Sequence, residues 1–231
     1  MTAGPTTLRR RLLGALGGFC ALTLCAAAPT LAADRVQTAA QIAALSPDEV
    51  AAVTRIERYL NDIKTMKARF VQVSSNGAYA EGEVFLDRPG HMRFDYDPPS
   101  PVLIIANGLT LLYYDKELKE ATFLPLWETP LWFLIREEVR LDENVEIVGI
   151  EEALGTLRIT LRDEESPDGG QVTLVFADEP LTLKKWELID PQGIQTQVSL
   201  VNPVYGEEVD PELFKYGDLE IYTGTGNQQR Q

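Results

Sequence analysis

Cysteine is nearly absent from this chain. Its only two, Cys20 and Cys25, sit in one apolar stretch near the N-terminus. The remainder therefore has no disulfide, no thiolate nucleophile and no cysteine-based metal site. Histidine is rarer still, with His91 alone. A lone histidine beside Pro89-Gly90 reads as structural or solvated rather than catalytic. No Gly-x-Ser-x-Gly elbow, phosphate loop or His-Glu-x-x-His occurs in the sequence. Asp142-Glu143-Asn144 opens like a calcium loop, but Ile147 stands where the tight turn needs glycine. Carboxylate pairs are too frequent in so acidic a chain to mark a site. Nothing gathers a nucleophile, a base and an orienting group. The expectation is a protein that is not an enzyme, with no cofactor and no metal.

Positive charge is also scarce. Lys and Arg number 21 against 35 Asp and Glu, a net charge of −14. Three of the basic residues and none of the acidic ones precede residue 34, so the chain from there on carries 18 against 35, a net −17. Nucleic acid and anionic lipid surfaces should repel it. The same acidity could serve solubility alone.

Long hydrophobic runs are limited to one. Arg9, Arg10 and Arg11 precede an apolar run from Leu12 to Ala28, and small residues follow at Ala32 and Ala33. This is the layout of a secretory signal peptide, and the run is short for a membrane span. Cleavage is expected after Ala32 or Ala33; the paired arginines also allow the twin-arginine route. Phe19 and Leu24 precede the two cysteines, where a lipid anchor needs a small residue, so no anchor is expected. The expected organisation is a signal peptide over 1–33, a single domain over 34–221 and a frayed tail over 222–231. The 198 residues beyond the signal suffice for one full core.

Periodicity supplies the elements. Ser46-Pro47-Asp48-Glu49 reads as a capping box with proline at the first helical position. Val50, Val53, Ile56, Leu60 and Ile63 then form one stripe, which predicts a helix from about Pro47 to Ile63. Beyond it the period changes to two. Strands are expected over 67–75, around Val84 and Leu86, and around Met92, Phe94 and Tyr96. Further strands are expected over 102–106, 109–115, 157–162, 172–176, 181–189 and 194–200. Asn76-Gly77, Pro89-Gly90, Asn107-Gly108, Asp168-Gly169-Gly170 and Pro191-Gln192-Gly193 mark turns. Both faces of the 102–115 pair look apolar, so its inward face stays open. Short strands at even spacing indicate a mainly β protein, an antiparallel sheet closing toward a barrel.

Two features need an account. Thr129 and Pro130 can start a short helix, and Leu131, Trp132, Phe133, Leu134 and Ile135 follow without a polar break. A helix apolar all round must be buried or must cover something apolar. It is either a plug in a filled barrel or a lid over a lipid cavity. Arg88 is the second. Counting by two from Val84 and Leu86 puts it on the apolar face, where a charge must find acceptors such as helix-end carbonyls. Displaced by the turn at Pro89, it would instead be exposed and without significance.

The sequence resembles the LolA family, the periplasmic outer-membrane lipoprotein carriers. The matching residues are the signal peptide, the capped helix and Phe70-Val71-Gln72. The longest block runs Leu86-Asp87-Arg88-Pro89-Gly90-His91-Met92-Arg93-Phe94-Asp95-Tyr96. Pro101-Val102-Leu103-Ile104-Ile105-Ala106-Asn107-Gly108, Leu112-Tyr113-Tyr114-Asp115, Thr129 to Ile135 and Val209-Asp210-Pro211-Glu212-Leu213-Phe214 follow in order. The family often has tryptophan where Phe94 stands; aromatic bulk is kept. The resemblance implies an incomplete antiparallel barrel, or half-barrel, with an N-terminal helix and a short apolar lid. It implies that Arg88 latches the lid, that Pro130 to Ile135 form it, and that Val84, Leu86, Met92, Phe94 and Tyr96 line an acyl-chain cavity. The implied partners are acylated lipoproteins, an inner-membrane ABC transporter and an outer-membrane receptor, with the carrier a periplasmic monomer. The alternatives are a sibling that binds another lipid or senses envelope stress, and a structural envelope protein with a filled barrel.

Overall fold

The computed structural model describes residues 45–220, apart from 127–128, 130–131, 142–144, 165–166 and 218. The region expected to be a signal peptide lies outside the described residues, as do Pro130, Leu131 and the side chain of Phe133.

The helix α1 spans Pro47–Asp62. Its capping box forms as the sequence requires: the Ser46 hydroxyl accepts from the Glu49 N–H, and the Glu49 carboxylate accepts from the Ser46 N–H at 2.8 Å. Ala52, Val53, Ile56 and Leu60 make its buried stripe. Eleven strands follow in one antiparallel sheet: β1 (Thr65–Ser74), β2 (Tyr79–Asp87), β3 (His91–Tyr96), β4 (Val102–Asn107), β5 (Thr110–Asp115), β6 (Glu120–Pro125), β7 (Val145–Ala153), β8 (Thr156–Asp163), β9 (Gln171–Ala177), β10 (Thr182–Ile189) and β11 (Gln195–Tyr205). Each predicted strand is present. Strands β6 and β7 add two that periodicity alone did not reveal, because their side chains are mostly exposed and show no apolar alternation.

The strand order is β6-β5-β4-β3-β2-β1-β11-β10-β9-β8-β7. The chain starts at the centre of the sheet, walks outward by hairpins to the β6 edge, reappears at the far β7 edge and walks back until β11 pairs with β1. The two edges do not pair with each other, so the sheet is open rather than a closed barrel. The β6–β7 connection must pass from one edge to the other. It carries a 3-10 helix at Trp132–Ile135.

Pairing register fixes the faces. Met66, Leu86, Met92, Ala106 and Leu111 lie in one cross-strand row, and Ala68, Val84, Phe94, Ile104 and Tyr113 in the next. Apart from the exposed Tyr113, both rows pack into the main core with α1. The opposite face of β4 and β5 presents Leu103, Ile105, Leu112 and Tyr114, which pack under Val209 and Phe214 of the C-terminal segment. The strands apolar on both faces are thus covered on both, and Ile104, Ala106 and Leu111 are the inward set. Gly82 makes room for the Phe70 ring in the next row: a Cβ there would lie 2.9 Å from that ring and 2.1 Å from the Asp95 carbonyl oxygen. Among the described residues no helix is long and apolar enough to cross a membrane.

Candidate functional site

The site lies where the end of α1, the β2–β3 turn and the Trp132–Ile135 helix meet. Arg88 follows β2 and is only 8% exposed. Its Nε and Nη2 donate to the Arg136 carbonyl at 2.9 and 2.8 Å. Its Nη1 donates to the Ile63 carbonyl at 3.0 Å and to the Leu60 carbonyl. Leu60 and Ile63 close α1, where the last carbonyls of a helix lack intrahelical donors. The planar fork thus ties two helix ends together, a geometry that suits guanidinium better than ammonium. Burial pushes its pKa below the ordinary arginine value, yet arginine stays protonated in proteins. These acceptors are helix-end carbonyls, two from the end of α1 and one just past the Trp132–Ile135 helix.

Three further ties hold the connection. The Gly90 N–H donates to the Ile135 carbonyl at 2.6 Å. Gly90 has φ +81°, and a Cβ on it would meet the Gly108 Cα at 2.7 Å, so glycine is required for this close approach. Past the helix, the Asn61 amide pairs with the Val139 backbone in both directions, at 2.9 and 2.8 Å, and Glu57 accepts from the Leu141 N–H at 2.7 Å. Val139 and Leu141 are fully buried. Asn61 and Glu57 were not singled out in the sequence, since a polar residue near a helix end carries no distinctive signal.

Beneath Arg88 lies a pocket of about 40 Å³ walled by Leu60, Val84, Met92, Leu134, Ile135 and Trp186, with further apolar side chains. That volume holds about one water. Leu134 and Ile135 occupy the space that the concave face would otherwise offer. Val84, Leu86 and Met92 all line the pocket. Phe94 packs edge-on against Phe70 and Trp186, at centroid distances of 5.2 and 6.2 Å. Tyr96 turns toward a separate open groove shared with Gln72 and Tyr113. Its hydroxyl donates to Gln72 at 2.7 Å, and burial with the neighbouring Tyr113 pushes its pKa up to about 12. Trp132 faces an outer recess of about 490 Å³, with the Arg136 guanidinium 5.2 Å from its ring centroid. Thr129, expected to cap the short helix, instead donates its hydroxyl to the Leu126 carbonyl at 2.7 Å. His91 packs against Phe214 with centroids 5.3 Å apart. Among the described residues no group of three or more His, Cys, Asp or Glu could hold a metal ion.

The fold and site combine an open antiparallel sheet, an apolar face against which Leu134 and Ile135 pack, and one buried arginine bonded to the Arg136 carbonyl. The family model described as outer membrane lipoprotein carrier protein LolA matches residues 61–217. The chain belongs to this family. A protein named outer-membrane lipoprotein carrier protein from Methylococcus capsulatus is 29% identical over 182 residues, 74% of this chain and 86% of that one. One of the same name from Azotobacter vinelandii is 28% identical over 194 residues, 79% and 91% of the two chains. A crystal structure of a LolA superfamily protein from Nitrosomonas europaea superposes with a TM-score of 0.43 at 10% identity, covering 71% of this chain and 97% of that one.

Proposed function

We propose that this protein is a periplasmic carrier that holds the acyl chains of lipoproteins against its concave sheet and conveys them through the aqueous space to the outer membrane. The observation that carries the reading is the Arg88 fork, which binds the Arg136 carbonyl at the edge of a small apolar pocket walled by Leu134 and Ile135. The relatives named outer-membrane lipoprotein carrier protein support the same reading.

The energetics explain why such a device suits the task. Transfer of apolar chain from water is worth about 0.8 kcal/mol per CH₂, so one acyl chain of about 16 carbons contributes roughly 12 kcal/mol. A multiply acylated protein does not leave a membrane unaided. Its carrier must offer comparable apolar surface and stay soluble when empty. Side chains that fill the pocket when it is empty meet both demands. Loading then requires Leu134 and Ile135 to leave, which breaks the Arg88–Arg136 contact. A ligand shifts that balance only by its differential affinity for the open state.

In this reading residues 1–33 are a cleaved signal peptide, residues 34–221 the carrier domain and 222–231 a tail. The protein acts as a monomer, without a cofactor and without a chemical step. It receives cargo from an inner-membrane ABC transporter and passes it to an outer-membrane receptor where one exists.

The test is release of cargo from spheroplasts by the purified protein, read by native mass spectrometry. A soluble one-to-one complex with an acylated lipoprotein, weakened by Met92→Asp, is the expected result. Release of free lipid without lipoprotein would favour a lipid-binding sibling. Binding of neither would overturn the reading and leave a filled structural sheet.

A further inference from the structure

Trp186 stands on β10 and is only 4% exposed. It lines the pocket opposite Leu134, Ile135 and Met92. Its Nε1–H is buried and finds no acceptor among the described residues. A buried donor without a partner is destabilising, and buried tryptophans normally have one. A phenylalanine would fill much of the same space without that cost.

The pocket wall has a particular chemical bias. Its other polar side chain, Arg88, offers only donors, and they bind the Leu60, Ile63 and Arg136 carbonyls. The side chains of the wall therefore hold a spare donor and no strong acceptor. A complementary guest is an apolar chain that carries a strong acceptor oxygen. The ester or amide carbonyl of an acyl chain has these properties, and an alkyl ether offers a much poorer acceptor.

We infer that Trp186 is the polar contact of the acyl pocket, its indole N–H donating to the ester or amide carbonyl of a chain that takes the place of Leu134 and Ile135. The inference rests on the carrier reading and adds a selectivity to it. The site prefers acyl linkages to ether linkages of equal chain length. It also sets how deep a chain is seated, because the carbonyl has one fixed partner.

The test compares two probes that differ in that carbonyl, 1-palmitoyl-lysophosphatidylcholine and its 1-O-hexadecyl ether analogue, both below their micelle concentrations. Calorimetric titration of the purified protein should give about tenfold tighter binding of the ester, equivalent to ~1.4 kcal/mol. Trp186→Phe should abolish the difference between ester and ether, whatever it does to their common affinity. A second readout needs no variant at Trp186. In ¹⁵N spectra the Trp186 indole N–H, assigned by removing the other tryptophan signals with Trp127→Phe and Trp132→Phe, should move downfield with the ester and stay in place with the ether. Equal affinities with an unmoved indole signal would overturn the inference and leave the carrier reading intact. Failure to bind either probe would overturn both.

Discussion

Arg88 shows how one side chain can hold two elements. Its removal in Arg88→Ala leaves the Leu60, Ile63 and Arg136 carbonyls without their donor, and an unsatisfied buried acceptor costs about 1–3 kcal/mol. With water entering part of the gap, the expected loss is on the order of 2–4 kcal/mol. It would be read as a lower urea midpoint at unchanged slope. Arg88→Lys should recover less than half of it, since one ammonium cannot span the fork. A midpoint equal to that of the wild type would show that the fork holds nothing. Asn61 makes a different kind of tie, pairing with both backbone groups of Val139. Asn61→Ala should cost about 1–3 kcal/mol. Amide exchange at Val139 and Leu141 should accelerate before that of the sheet, marking local release of the connection. Neither residue announced its role in the same way. The strand parity of Arg88 was countable from Val84 and Leu86, whereas Asn61 acts through a backbone 78 residues away.

At the scale of elements, β3, β4 and β5 are stitched on their outer face by charge. Asp95 accepts from Arg93 at 2.8 Å and from Lys116 at 2.5 Å. Burial opposes its ionisation, but the hydrogen bonds from Lys116 and Arg93 and their charges outweigh that, so its pKa is held below the ordinary carboxylate value. A depressed folded-state pKa contributes stability at pH values above the unfolded value, which is lost as pH falls through the lower folded one. Asp95→Asn should therefore be less stable than the wild type near pH 7. The gap should narrow as pH drops below about 4. A gap that stays constant over acid titration would exclude the carboxylate as its source. The same face carries the C-terminal segment, whose Leu213 carbonyl accepts from Arg93 at 2.9 Å and whose Phe214 is buried. That segment is what makes strands apolar on both faces compatible with solubility. Periodicity within β4 and β5 could not disclose it, since the covering residues come about a hundred positions later.

For the whole molecule, open topology and acidity act together. A sheet whose edges do not meet leaves a mouth, and the one connection that must cross between those edges is the one that carries the apolar helix. The placement of the Trp132–Ile135 helix thus has its origin in strand order. The net charge of −14 over the full chain predicts repulsion from anionic membranes. Cosedimentation with phosphatidylglycerol vesicles at low salt should show little bound protein, and raising the salt should not release any substantial amount. Strong, salt-sensitive binding would mean that a local basic patch overrides the overall charge.

Much of this protein was decided locally and is therefore legible in the chain. The capping box of Ser46 and Glu49 fixes the start of α1, and period-two alternation fixes most strands and their buried sides. The order of motifs around Arg88-Pro89-Gly90 points to the family. All of these depend on residues within a few positions of one another. Tertiary structure alone decided the rest. It chose which apolar face of β4 and β5 lines the core, because that depends on the C-terminal segment. It gave Arg88 its acceptors at Leu60 and Ile63, placed Leu134 and Ile135 in the wall of the pocket and Trp132 at a separate recess, and left the Trp186 donor without a partner among the described residues. Each of these follows from contacts between elements far apart in sequence, and a periodicity read along one strand contains no information about what will be packed against it.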